Sequence, residues 1–170
     1  KHATILRNGQ KIALVKKEQQ LLNYKNASDS KTLSPYIVFF VISFILCWIT
    51  FKDSKKNKRS KWLDFSIYFI TGIVGVVILL LWFATNHTAT YKNFNFLWAF
   101  APNLIVAFYL LKKELPKWLK WYNAMLLILI ATTFILWILK IQVFNNAIIP
   151  LLILLIYRYS YLLKKLNKAL

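Results

Sequence analysis

Few side chains in this sequence have the types and spacing that chemistry needs, and most of them gather in Thr85-Asn86-His87-Thr88-Ala89-Thr90-Tyr91-Lys92-Asn93-Phe94-Asn95-Phe96-Leu97-Trp98. A histidine, three asparagines and several hydroxyls meet there between two long apolar runs. An imidazole can act as general base, proton shuttle or metal ligand. Zinc takes several His, Cys or carboxylate ligands, and this stretch supplies one, so neither a metal nor a cofactor is expected. A nucleophile is lacking unless Thr88 or Thr90 serves, and no catalytic residue is assigned. Asn86, His87, Thr88, Asn93, Asn95 and Trp98 are the candidates for binding a lipid or its headgroup. The competing reading is an interfacial turn that caps the next helix. Asn86-His87-Thr88 also fits a glycosylation acceptor, but at a place too near the membrane for easy modification.

Three further residues carry reactive groups. Cys47 is the sole cysteine; it has neither cation nor base in its segment, so a core or lipid-facing thiol is expected. Asp64 stands near the end of an apolar run and is expected to pair with a nearby lysine. Arg158 is the one strong base inside such a run. About five residues from its end, or roughly 8 Å, it is expected to snorkel to the headgroups.

The elements that hold these residues are read from composition. Of 170 residues, 59% are hydrophobic and only 16% charged, more apolar surface than a soluble domain of this length buries. A bilayer-spanning helix needs about 20 mostly apolar residues, and five blocks qualify, near 35–51, 62–84, 94–111, 121–139 and 147–163. The expected fold is therefore an all-α, five-helix transmembrane bundle over 34–170. In the third helix Pro102 is expected to make a kink, with Pro102-Asn103 facing protein because the freed carbonyl needs a partner. Gly72 and Gly75 in the second either admit a close helix neighbour or are ordinary membrane glycines. Residues 1–33 differ. Ala3 to Leu6 and Lys11 to Val15 flank Asn8-Gly9, a two-residue hairpin signal, and a polar linker follows. This hairpin is read as the end of an extracytoplasmic soluble domain, and the start at Lys1 without an initiator Met leads us to expect the C-terminal part of a longer protein.

The net charge of +18 resembles a nucleic-acid binder's, but its distribution is that of membrane topology, and no nucleic-acid partner is expected. The connections at 52–61 and 112–120 and the tail at 164–168 carry six, four and three positive charges; the other two connections carry one each, Lys92 and Lys140. Cytoplasmic loops hold the excess of Lys and Arg, which places the N-terminus outside and the C-terminus inside. Seven basic residues before Pro35 leave this unchanged, since folded domains translocate largely regardless of charge. Trp62, Trp82, Trp98, Trp118 and Trp121, close to the helix ends, suit an aromatic belt.

At the outward loop the residues also carry a resemblance. Trp82-Phe83-Ala84-Thr85-Asn86-His87-Thr88-Ala89-Thr90, then Asn93-Phe94-Asn95-Phe96-Leu97-Trp98, with Lys61-Trp62-Leu63-Asp64 and Pro116-Lys117-Trp118-Leu119, resembles the Lnb-like five-helix transmembrane domain over about 35–165. In that family the domain follows a periplasmic domain related to lipoprotein intramolecular transacylase, whose Cys and His are proposed to carry the chemistry. The resemblance implies a bacterial inner-membrane protein that anchors such a domain and presents lipid to it, with membrane lipids and a lipoprotein substrate as partners. The alternative is a passive anchor or structural subunit of an inner-membrane assembly. The catalytic Cys and His fall outside this chain. Where family members often read Thr-Asp-His, this sequence reads Thr85-Asn86-His87, so the imidazole lacks a carboxylate to orient or charge it.

Overall fold

The computed structural model describes residues 4–7, 10–13, 34–84 and 92–168. The chain divides into two compact units, Lys1–Thr32 and Leu33–Leu170. In the first, β1 (Thr4–Arg7) and β2 (Gln10–Ala13) pair antiparallel, with Thr4 opposite Ala13 and Arg7 opposite Gln10.

The regular structure of the second unit, among its described residues, is helical: α1 (Pro35–Lys55), α2 (Lys61–Phe83), α3 (Asn103–Leu110), α4 (Leu119–Ile138) and α5 (Ile149–Lys168). Four helices are long and apolar enough to cross a membrane: α1, α2, α4, and α5 with the 3-10 turn before it. Pro35 opens α1, where a missing N–H costs nothing. In α1 the buried residues are Ser43, Thr50 and Asp53, one face at helical spacing, while Phe40, Phe44, Ile45 and Trp48 stay exposed. A helix surrounded by lipid gains nothing from hiding its apolar side chains; packing and polar contacts drive its association. Helix α5 packs against α1 and α4 and is more than half buried over its apolar window.

The third segment departs from expectation. In place of one kinked helix near 94–111 there is a 3-10 turn, Phe94–Leu97, then irregular backbone, then the eight-residue α3. Pro102 is the cap residue before α3, because a residue without an N–H suits the start of a helix better than its interior. The segment nevertheless runs the length of α2, antiparallel to it. Phe94 and Phe96 lie against Trp82 at the end of α2, Phe108 lies against Phe69 and Phe65, and the Leu110 carbonyl reaches Arg59, just before α2 begins. The second unit thus has four helices long enough to span a membrane and one broken segment laid along α2. Non-helical backbone at membrane depth is tolerated only when protein covers it, and the middle of α2 does so with Gly72 and Gly75. A Cβ on Gly75 would collide with the Ala99 carbonyl and come within 2.6 Å of Ala101 N; one on Gly72 would collide with Leu104 N and come within 2.6 Å of its Cα. Of the two glycine readings, close approach is the one realised.

Beside that break lies a buried polar chain. Asn103 Nδ2 donates to Thr71 Oγ1 (3.0 Å), and Tyr122 Oη donates to Asn103 Oδ1 (2.5 Å). Nearer the start of α2, Tyr68 Oη donates to Asn123 Oδ1 (2.6 Å). These bonds join α2, α3 and α4 with no charge at mid-depth.

Candidate functional site

The polar stretch between α2 and the broken segment comes first. Asn86, His87 and Thr88 lie outside the described residues. The remainder of the candidate set forms a closed unit. Asn93 precedes the 3-10 turn and its Oδ1 accepts from Asn95 N (3.1 Å) and Asn95 Nδ2 (2.8 Å); Asn95 Oδ1 accepts from Trp98 Nε1 (2.8 Å). Gln142, in the connection between α4 and α5, fastens this unit by accepting from Phe94 N at 2.7 Å. Asn145 caps the second 3-10 turn in the same way, accepting from Ala147 N at 2.9 Å. The two connections that each carry one lysine are therefore tied together at one end of the bundle. Trp98 is 8% exposed and anchors the turn, a correction to its expected place in the aromatic belt; Trp62 and Trp121 are more than 70% exposed and suit that belt. Gln142 was not singled out in the sequence. Its signal was weak, a lone glutamine in a short connection.

The opposite end holds a cluster that sequence reasoning missed. Arg158 is 0% exposed. Its Nε donates to Asp64 Oδ1 at 2.7 Å, its Nη1 to Asp53 Oδ2 at 2.8 Å, and its Nη2 to the Ser60 carbonyl at 3.3 Å. Snorkelling to headgroups is thus corrected to a buried double ion pair. The physical reason is that Asp53 and Asp64 stand within reach, and a buried carboxylate left unpaired costs more than drawing the guanidinium inward. Asp64, also 0% exposed, pairs with Arg158 and with Arg59 (3.4 Å) and not with a lysine. Arg can serve several acceptors at once through its fork of five donors, which an ammonium cannot reproduce.

Local sequence builds the frame for these contacts. Helix α1 ends with Asn57 at φ 48°, a left-handed residue that asparagine tolerates, and Lys58 N then bonds the Asp53 carbonyl (3.0 Å) in the manner of a Schellman end. That turn brings Ser60 back, so that its N and Oγ donate to the Asp53 carboxylate at 3.0 and 2.9 Å. The Tyr161 hydroxyl donates to the Lys58 carbonyl. Arg59 points inward, donating to the carbonyls of Leu110 (2.9 Å) and Lys112 (2.8 Å). Burial pulls its guanidinium below its ordinary pKa and the Asp64 carboxylate pulls it back up, and an arginine remains charged through the whole physiological range. Two guanidinium groups and two carboxylates cancel. The cluster clasps α1, α2, α5 and the end of α3, and with its carboxylate oxygens occupied it is a fastening.

The Lnb transmembrane domain model matches residues 27–169, nearly the whole of the second unit and the residues just before it. No curated protein and no solved structure matches the chain.

Proposed function

Because the chain belongs to the Lnb transmembrane domain family, we propose that this multi-pass membrane domain anchors an extracytoplasmic acyl-transfer domain in the bacterial inner membrane and presents lipid or a lipoprotein acyl group to it. The loop charge bias orients the domain with its N-terminus outside and its C-terminus inside, so that the end carrying Asn93, Asn95 and Gln142 faces the envelope. The observation that carries the presentation role is the fastened Asn93–Asn95–Trp98 unit with Gln142. It fixes, at that end of the bundle, the residues that directly follow the Thr85–Tyr91 stretch in the sequence. Preorganised support is what a binding loop requires. Any headgroup contact comes from the donors this unit leaves over, the Asn93 amide NH2 and one N–H of Asn95, together with residues 85–91.

A second reading, a passive anchor, is favoured by the same closure, since a hydrogen-bonded, ion-paired bundle is also what a rigid anchor needs. The two separate on His87→Ala and Asn93→Ala in the membrane-embedded protein, read as membrane abundance and as lipoprotein acylation state by mass spectrometry. Normal abundance with altered acylation supports presentation. Loss of abundance alone supports the anchor, and no change in either would sink the role of this loop. Exchange of residues 34–170 for an unrelated anchor with full acylation retained would also remove the presentation role.

A further inference from the structure

Two groups stand out among the positive charges at the Arg158 end of the bundle. Some lie over aromatic rings: Lys52 over Trp48, Lys55 over Phe51, Lys112 over Tyr109 and Lys120 over Trp121, at 4.7–5.5 Å from the centroids. These are interfacial side chains resting on a belt. A second group converges on one cleft of about 360 Å³, lined by Arg59, Lys113, Lys117 and Lys165 with one carboxylate, Glu114, and by Leu115 and Leu166. Topology requires only that basic residues lie on this side of the membrane; it does not require Arg59 of one connection, Lys113 and Lys117 of another and Lys165 at the end of α5 to meet.

We propose that this cleft binds the phosphate of an anionic phospholipid headgroup in the leaflet at that face. The site goes beyond the presentation role, since it lies at the opposite end of the bundle. With the Arg59 charge already balanced by Asp64, three lysines against one carboxylate leave the lining at +2, enough to hold a phosphodiester with charge to spare. Arg59 is fixed by its bonds to Asp64, Leu110 and Lys112, which use three of its five N–H groups, so a preoriented guanidinium lines the cleft with donors left over. Lys165 is held by the Asn57 carbonyl at 2.8 Å and keeps two N–H donors. Leu115 and Leu166 supply an apolar wall for the glycerol and the start of the acyl chains. A cleft of this volume is within the range of about 300–1,000 Å³ typical of small-ligand sites, and basic pockets between transmembrane helices are a recognised way of holding phospholipid headgroups. The shared chemistry is a phosphate anion; the apolar wall and the position at the ends of the spans select the lipid over a soluble phosphate.

The test is native mass spectrometry of the full chain released from nanodiscs with equal phosphatidylglycerol and phosphatidylcholine. Wild type is expected to retain phosphatidylglycerol in preference by roughly a hundredfold, with each of the three lysines contributing about fivefold. Lys113→Gln/Lys117→Gln/Lys165→Gln should bring retention close to parity, Lys→Arg at the same three positions should keep the preference, and Lys52→Gln/Lys55→Gln should leave it unchanged. Lys113 and Lys117 are exposed, and an unchanged unfolding midpoint checks that the variants are folded. An equal loss in the Lys52/Lys55 variant would mean a diffuse field and would overturn the site, as would a preference that survives the triple Gln substitution. Displacement of phosphatidylglycerol by inorganic phosphate, with phosphate binding to lipid-stripped protein, would reassign the cleft to a soluble anion. Lipoprotein acylation does not enter any of these readouts, so failure here and failure of the presentation role are distinguishable.

Discussion

Replacing Arg158 by methionine is the perturbation that most sharply separates a buried clasp from an arginine reaching out to headgroups. The substitution keeps an unbranched side chain in the cavity but leaves two carboxylates facing one another. Asp53 keeps two donors from Ser60, at 2.9 and 3.0 Å. Asp64, 0% exposed, keeps only the 3.4 Å contact to Arg59. Removing one partner of a buried pair costs about 3–5 kcal/mol, because the charge left behind has neither water nor counterion. Arg59 offsets part of this, so a destabilisation of about 3 kcal/mol is expected, read by reversible unfolding in lipid or mixed micelles. The double variant Arg158→Met/Asp64→Leu removes both charges of that pair and should recover about 1 kcal/mol or more relative to Arg158→Met. Arg158→Lys keeps the charge but loses the fork to Asp64, Asp53 and Ser60, and should be intermediate. If Arg158→Met cost less than about 0.5 kcal/mol, as expected of a side chain on the surface, the clasp would be refuted and a snorkelling arginine restored.

Gly75→Ala should destabilise by about 1–3 kcal/mol or more in the same assay, since overpacking against backbone cannot be relieved by a rotamer change; at an uncrowded helical site the same change stabilises by about 0.5–1 kcal/mol, so the sign alone checks the close approach to Ala99 and Ala101. Lys140 holds φ 56° after α4, where Ile141 N bonds the Leu136 carbonyl (3.0 Å), and Lys140→Gly should stabilise by about 1 kcal/mol because glycine carries no left-handed penalty. For the orientation, single cysteines in a Cys47→Ala background should react with an impermeant reagent from outside at Asn145 and only after permeabilisation at Ser54; the reverse pattern would invert the assignment of the two faces.

Hydropathy and charge, read along the chain, already determine the membrane class, four of the five expected spanning helices and which connections are basic. These are additive, local quantities: about 20 apolar residues either span a bilayer core or do not, whatever their neighbours. The polar stretch after α2 could also be located, because polar residues between apolar runs stand out without reference to any partner. What its asparagines do was not legible. Asn93, Asn95 and Trp98 are close in sequence, yet their closure depends on a 3-10 turn in place of the expected helix, and on Gln142, 48 residues away. The break in the third segment has the same origin, since Pro102 permits either a kink or a fresh helix start, and the glycines of α2 supply the cover that makes irregular backbone affordable at that depth. Arg158 marks the limit most clearly. Snorkelling is the right expectation for a lone arginine near a helix end, and only the tertiary structure brings Asp64 and Asp53 to it across 94 and 105 residues. Hydropathy carries no term for who meets whom, and in a bundle whose outside is as apolar as its inside, those few polar meetings decide how the helices pack.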